Sequence, residues 1–325
     1  MNSRALGKTG YTVSEIGLGC WQLGGDFGPV GDDTARDILK TARSLDVNFW
    51  DTADVYGGGE SESRIGAFKD KKGVFVATKL GRGPQFEGMT RYDRKRVKDS
   101  LVGSLKRLGV EVLDLAQLHC IPIDVLRDGE IFTFLDDMRA EGIVRHWGAS
   151  VQTVEEGMLA MRSPGCVSLQ TIFNLFRQDA IDELFPAAQK NDVGIIVRLP
   201  LASGLLSGKM SKTTTFTEGD HRNYNRDGQA FYVGETFSGL PFEAGIGFAD
   251  EIKHWLPAGM TLADLALRWI LDQKAVSTII AGVTKPRQLE ANAAVSRMDP
   301  VDGALVDKLK DFYVEKVRPA VRGGI

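Results

Sequence analysis

Eight short runs of strand-forming residues recur along this chain, each with a helix-patterned stretch nearby, and few architectures accommodate that alternation. The runs cover residues 15–19, 47–50, 74–78, 113–117, 144–149, 168–173, 194–198 and 278–281. Several are apolar throughout rather than alternating, the pattern of parallel strands covered on both faces. Residues 32–45, 61–68, 92–108, 123–141, 154–161, 180–190, 261–273 and 286–294 carry apolar residues at three- and four-residue spacing and read as helices. Asp32 and Thr261 are expected N-caps, and Gly109 and Gly142 expected helix stops. The alternation predicts an α/β fold, a single (β/α)8 TIM barrel spanning residues 1–325 as one domain. An open doubly wound sheet is the alternative.

Two segments stand outside the repeat. Residues 2–13 read as an N-terminal β-hairpin around Gly10 that plugs the barrel floor. Residues 208–245 form a long loop after strand seven, rich in Gly, Thr and aromatics, and a loop of that length in a compact domain is usually functional. Following the seventh strand, it should lie over the barrel mouth.

Composition removes several classes of function. A net charge of −3 gives no reason to expect nucleic acid or an anionic membrane as partner. The most basic stretch, residues 91–98, contains Asp93 and reads as a solvated helix face. No uncharged apolar run reaches the roughly 18 residues of a membrane span, and the first residues lack the apolar core of a secretory signal. Cys20, Cys120 and Cys166 are widely spaced without a CxxC pair, which fits a reducing cytoplasm. The four histidines form no HxH or HxxxH pair, so spacing offers no metal site.

Barrel enzymes place their chemistry at the carboxyl ends of strands. Strand two ends VNFWD on Asp51, strand three VFVATK on Lys79, and strand four DLAQLH on His119. Tyr56 follows Asp51 in the loop DTADVYGGG. Singly, each has a bland reading as a cap, a strand exit, a partly buried histidine or a loop aromatic. On three adjacent strands they make a coherent set. A lysine ammonium near a phenol favours the phenolate and lowers its pKa, an aspartate holds the lysine, and a histidine orients a carbonyl. The set suits protonation of an oxygen that becomes negative as hydride reaches carbon, and the hydride must come from a cofactor.

These residues resemble the aldo-keto reductase family, in its bacterial and plant-type branch, nearly end to end. The resemblance is carried by RALGKTGYTVSEIGLGCWQLGG at 4–25, DTADVYG, ATKLG, LAQLHC, RLPLASGLLSGK at 198–209 and IIAGVTKPRQLEANA at 279–293. It implies an enzyme reducing aldehydes and ketones, with Asp51, Tyr56, Lys79 and His119 as catalytic tetrad. It implies NADP(H) as the preferred cofactor, with NAD(H) as the alternative, lying across the barrel mouth. The nicotinamide end would meet Gly19, Cys20, Trp21, Asp51, Ser150 and Gln170, near Asn174. Leu201, Ser203, Gly204 and Leu206, with Lys209 nearby, would follow the pyrophosphate, while Arg198, at the nicotinamide, and Leu199 are further cofactor contacts. Gly282, Thr284, Lys285, Gln288 and Asn292 would take the adenosine end. Gly17, Gly19 and Gly24 have the wrong spacing for a Rossmann fingerprint and read as turn glycines flanking Trp21.

Three positions depart from the family pattern. Arg198 stands where an aromatic usually stacks on nicotinamide, Val151 replaces an Asn after Ser150, and Thr284 replaces a basic residue that reads the 2′-phosphate. Substrate selection should sit around Trp21, Tyr56, residues 120–127 and 208–245, whose aromatics predict an apolar or aromatic-lined pocket. A cofactor-binding regulatory subunit with slow turnover is the second reading. A metal-dependent hydrolase would need clustered carboxylate and histidine ligands that the rim lacks. The physiological substrate and the oligomeric state are not written in the sequence.

Overall fold

The computed structural model describes residues 1–25 and 27–325. Eight parallel strands close into a barrel: β3 (Ile16–Gly19), β4 (Phe49–Asp51), β5 (Phe75–Leu80), β6 (Leu113–His119), β7 (Val144–Ser150), β8 (Cys166–Ile172), β9 (Gly194–Arg198) and β10 (Val276–Gly282). They run in chain order, and β10 pairs with β3 through Ile279 and Ile16. All eight runs read from the sequence are strands, and the doubly wound alternative falls with barrel closure.

The hairpin is present as β1 (Ser3–Ala5) and β2 (Thr12–Ser14), with Gly10 in the left-handed region at φ 76°. Leu6 and Val13 from this unit bury against Phe49, Ala77, Leu115, Val167, Ile196 and Ile280, so it fills the amino-terminal end of the barrel. Burial of this apolar floor leaves the opposite end of the interior to polar side chains. There the register aligns His119 with Ser150 and Ser150 with Gln170, while Lys79 pairs with Gln117.

The surrounding helices are α1 (Asp32–Ser44), α2 (Glu60–Ala67), α3 (Arg94–Leu108), α4 (Ile123–Asp128), α5 (Glu130–Ala140), α6 (Val154–Ala160) and α7 (Leu184–Lys190). They continue with α8 (His221–Tyr224), α9 (Phe242–Lys253), α10 (Leu262–Leu271), α11 (Pro286–Ala294) and α12 (Gly303–Phe312). In α1 the buried residues Ala35, Ile38, Leu39 and Ala42 recur at helical spacing, so one stripe faces the barrel. Thr261 caps α10 in a reciprocal capping box with Asp264, worth about 1 kcal/mol.

Four expectations need correction. Residues 123–141 are two helices, because Gly129 at φ 79° reverses the chain between them. Gly31 rather than Asp32 is the N-cap of α1. The 208–245 loop ends where α9 begins, a helix disguised by Gly245 and Gly247 in its interior. Gly17 and Gly19 lie within β3 rather than in turns; a Cβ on Gly17 would stand 2.9 Å from the Phe49 carbonyl oxygen. The 91–98 stretch opens α3, and its Arg94 and Lys98 pair with Asp137 of α5 and with Glu141, the residue that caps its C-terminus. No described helix is long and apolar enough to cross a membrane.

Candidate active site

Asp51 ends β4, and the chain then folds over the rim with the Thr52 amide donating to the Ala77 carbonyl at 2.8 Å. Tyr56 opens a short turn in which Gly57, Gly58 and Gly59 all have positive φ, so the chain reverses without Cβ strain. Gly24 lies against this turn; a Cβ there would come within 2.6 Å of the Tyr56 and Gly57 backbone. The absence of a side chain at 24 therefore helps fix where the phenol sits.

The four strand-end residues converge. Lys79 Nζ donates to Asp51 Oδ2 at 2.5 Å, to the Thr52 carbonyl at 2.8 Å and to the Tyr56 phenol oxygen at 3.1 Å. Asp51 Oδ1 accepts from Gln117 at 3.0 Å and from Gln170 at 2.8 Å. The His119 ring stands edge-on to Tyr56 with centroids 5.7 Å apart, and Trp21 stacks on Tyr56 at 5.7 Å. An ammonium has no acceptor, so the Tyr56 hydroxyl proton cannot point at Lys79 and is available toward the cleft.

The charges follow from burial. Lys79 is shut away from water, which by itself disfavours its charge, but Asp51 and then Tyr56 hold its pKa above the ordinary value. Burial pushes the Tyr56 phenol up, and Lys79 only partly opposes this. The sequence had suggested a lowered phenol pKa; Lys79 acts in that direction, but desolvation outweighs it. The result is a phenol that keeps its proton at neutral pH. Burial, and then Arg82, Lys79 and Arg198, drive the His119 pKa well below 6.5, so its imidazole is neutral. His119 Nδ1 is buried without a hydrogen-bond partner.

A cleft of about 350 Å3 opens above this group. Its walls include Gly19, Trp21, Asp51, Tyr56, His119, Ser150, Gln170 and Arg198, then Leu199, Leu201, Ser203, Gly204, Lys209, Gly282, Thr284 and Gln288. Five of the catalytic and cofactor residues expected from the sequence are not on the wall, and neither is Asn174. Lys79 lies beneath it, Cys20 is buried with its thiol on the Leu18 carbonyl, and Leu206 is in the core. Lys285 is exposed at the start of α11, and Asn292 is buried on that helix. The Asn174 amide is committed to the Leu199 carbonyl and Ser238, and its oxygen to the Phe176 amide. Gln170 spends its NH2 on Asp51 and Gln117 and turns its oxygen to Ser150.

The turn after β9 is unusual. Leu199, Ala202 and Ser203 have φ of 54°, 47° and 55°, followed by Gly204 at 101°. Such conformations are costly for residues with a Cβ and collect at functional sites. Three amides of this turn are already committed, Ala202 to the Leu199 carbonyl and Gly204 and Leu206 to the Leu201 carbonyl, and the cations beside it on the cleft are Lys209 and Arg222, the latter paired with Asp220. A dinucleotide's phosphates fit beside these cations, and the uncharged Ser150 and Gln170 suit its nicotinamide end. Gln288 uses its side-chain oxygen to accept from Thr284 and Lys285 at the head of α11.

The sequence reading missed a charged wall. Arg82, just past β5, makes a two-pronged ion pair with Glu235 at 3.0 and 2.7 Å. Arg198 donates to the Val151 carbonyl at 3.1 Å and to Cys120 Sγ at 3.4 Å, with Nη1 3.7 Å from Glu235. The two guanidiniums hold the Glu235 carboxyl down at about 2 against its own burial. The pocket is therefore not simply aromatic. Arg82 could have been suspected from its place three residues beyond Lys79; Glu235 ends a single 3-10 turn (Val233–Glu235) in the long loop, with no sequence pattern to mark it.

A closed parallel barrel with these groups at its carboxyl rim is the architecture of a barrel oxidoreductase. The chain belongs to the aldo/keto reductase family, whose sequence model matches residues 15–312. It is 29% identical over 306 residues to aldo-keto reductase YhdN of Bacillus subtilis, covering 91% of this chain and 89% of that protein. It is also 29% identical to an Oryza sativa protein described as a probable voltage-gated potassium channel subunit beta, covering 97% and 98%. Among solved structures it is similar to the holo form of aldo-keto reductase AKR11C1 from Bacillus halodurans, with TM-score 0.77, 25% identity and 96% of each chain covered. It is likewise similar to glycerol dehydrogenase AKR11B4 from Gluconobacter oxydans, with TM-score 0.76, 26% identity and 99% and 98% covered.

Proposed function

We propose that this protein reduces aldehydes or ketones to alcohols, with Tyr56 as the general acid and NADP(H) as the preferred cofactor. The observation that carries the reading is the Asp51–Lys79–Tyr56 chain of contacts beside a neutral His119. A nicotinamide cofactor supplies the hydride when bound; everything else falls to this chain. His119 and Tyr56 hold the carbonyl oxygen from two sides, which fixes its position. As that oxygen gains negative charge, the Tyr56 hydroxyl gives up its proton to it. The phenolate left behind is stabilised by the Lys79 ammonium at 3.1 Å, and Asp51 keeps that ammonium charged and aimed. Trp21 over Tyr56 keeps water from one flank of the phenol.

Lys209 and Arg222, beside the strained turn at Leu199–Gly204, support the phosphate end of the cofactor reading. Thr284 and Gln288 are neutral where a 2′-phosphate would lie, leaving Lys285 and Arg287 as the cations on hand. A panel of aldehydes run with NADPH and with NADH tests the reading. Turnover of 4-nitrobenzaldehyde, faster at subsaturating NADPH than at equal NADH, is the expected result. Relatives described as channel β subunits support the second reading, a cofactor-binding regulatory subunit. Tight cofactor binding without measurable turnover of any aldehyde would favour it over the first.

A further inference from the structure

Behind the catalytic rim lies a buried ion pair that the proton transfer does not use. Glu62 of α2 is shut away from water, and neither it nor its partner Arg107 of α3 lines the cleft. Glu62 Oε1 accepts from the Thr78 hydroxyl, and Oε2 accepts from Arg107 Nε at 2.6 Å. Successive residues of a strand point to opposite faces, so Lys79 enters the barrel while its neighbour Thr78 meets Glu62 outside it. The pair is thus fastened to the strand that delivers Lys79.

Its other end lies against the turn that carries Tyr56. The Arg107 side chain packs on Gly59, where a Cβ would stand 2.6 Å from Arg107 Cδ. Gly24 abuts the same turn at Tyr56 and Gly57, so the turn is held at both of its ends. On α3, Ser100, Ser104 and Arg107 recur at helical spacing and face this loop. Ser100 donates to Asp54 Oδ2 at 3.0 Å, and Ser104 Oγ accepts from Arg107 Nη2 at 3.3 Å. Arg107 is also the cation that acts on Asp54, opposing the effect of its burial.

A buried ion pair gains little over apolar side chains of the same volume, because desolvation offsets the attraction, so stability is a weak reason for this one. Charge-assisted hydrogen bonds do fix distance and direction, which apolar contact leaves looser. The separation that most needs fixing here is the 3.1 Å between Lys79 Nζ and the Tyr56 oxygen, because it sets how well the ammonium meets the phenolate. The two sides of that contact come from β5 and from the Gly57–Gly59 turn, which are the two segments the pair touches.

We propose that Glu62 and Arg107 are positioning residues for the proton donor, holding the Tyr56 hydroxyl at its working distance from Lys79 through Thr78 on one side and Gly59 on the other. The proposal rests on the reductase reading given above. Neither residue touches substrate or cofactor, and both act only through Tyr56 and Lys79.

Thr78→Val and Arg107→Gln each release one hold. Each should lower kcat for NADPH-dependent reduction of 4-nitrobenzaldehyde by about tenfold to a hundredfold, the range of a small misplacement of a catalytic group. The dissociation constant of NADPH, followed by its fluorescence, should stay at the wild-type value. Arg107→Lys keeps the cation without the guanidinium geometry and should recover part of the loss. Thr78→Val removes one hydroxyl and no charge, so it keeps the test open should Arg107→Gln lose its fold. The decisive readout is a double-mutant cycle with Tyr56→Phe. If the pair acts through the phenol, neither change lowers the rate further once the hydroxyl is gone. Equal fold losses with and without the Tyr56 hydroxyl would overturn the proposal, as would wild-type kcat in both Thr78→Val and Arg107→Gln. Wild-type kcat in Tyr56→Phe itself would overturn the proton-donor reading and the proposal with it.

Discussion

The Nζ of Lys79 lies 3.1 Å from the phenol oxygen of Tyr56, donating to it, and the phenol proton is thereby left for the cleft. The contact exists because β4 and β5 are neighbours whose ends deliver Asp51 and Lys79 to one rim. The tight turn at Gly57–Gly59 then returns Tyr56 over them.

Removing either charge of the buried Asp51–Lys79 pair leaves the other uncompensated. Lys79→Met leaves the Asp51 carboxylate buried without its cation and should destabilise the fold by about 3–5 kcal/mol. Asp51→Asn keeps an acceptor for Gln117 and Gln170 but turns an NH2 toward the buried Lys79 ammonium, so its loss of stability should be comparable. Both should lower kcat by about a hundredfold or more, because each disturbs the group that stabilises the phenolate. Thermal melts and steady-state rates on the two variants check this; wild-type melting points in both would contradict the pairing.

The pH dependence follows from the neutral imidazole. Burial and three nearby cations put His119 well below 6.5, and burial keeps the proton on Tyr56 above its ordinary value of 10.0. A general acid must carry its proton, and here it does so through the neutral range. The profile of kcat/KM for reduction should be level between about pH 6 and 8 and fall only in strong alkali. A limb near pH 6.5 that disappears in His119→Gln would show that the imidazole titrates as an ordinary histidine.

Asp54, inside the loop that carries Tyr56, provides a stability test. Its Oδ2 accepts from Ser100 at 3.0 Å, while Oδ1 is buried without a partner, and burial raises its carboxyl from 3.8 to about 6. A carboxyl with a raised folded-state pKa contributes stability that is full below pH 3.8 and lost as pH rises through about 6. Asp54→Asn should therefore stabilise the protein at pH 8, by up to about 3 kcal/mol, with little gain at pH 4. Urea unfolding at the two pH values checks this, and an equal effect at both would contradict it.

Arg198 bears on the cofactor. Its guanidinium is fixed on the Val151 carbonyl where the family usually presents an aromatic to the nicotinamide. A positive group there disfavours the positive oxidised ring, and Val151 offers no amide to the carboxamide. Calorimetry should find the reduced cofactor binding more tightly than the oxidised. Equal or tighter binding of the oxidised form would remove the argument.

Much of this was legible in the sequence because barrel strands covered on both faces read as apolar runs, and a polar residue ending such a run is conspicuous. Asp51, Lys79 and His119 were found that way, and Tyr56 by its place in the loop after Asp51. The Arg82–Glu235–Arg198 cluster was not, since its members are 153 residues apart at the widest pair and meet only when the loop after β9 folds over the mouth. The pKa of Tyr56 was misjudged for a related reason: sequence reveals the neighbouring lysine, but the extent of burial belongs to the folded chain. Helix α9 escaped notice because its two glycines hide the stripe formed by Phe242, Ile246, Ala249 and Ile252.

The most direct test of the account is the rate of NADPH-dependent reduction of 4-nitrobenzaldehyde by Tyr56→Phe. The phenyl ring preserves the packing against Trp21 and His119 and removes only the hydroxyl. The account predicts a fall in kcat of about a hundredfold to ten-thousandfold with cofactor binding preserved. Retention of near wild-type kcat would show that the proton comes from elsewhere.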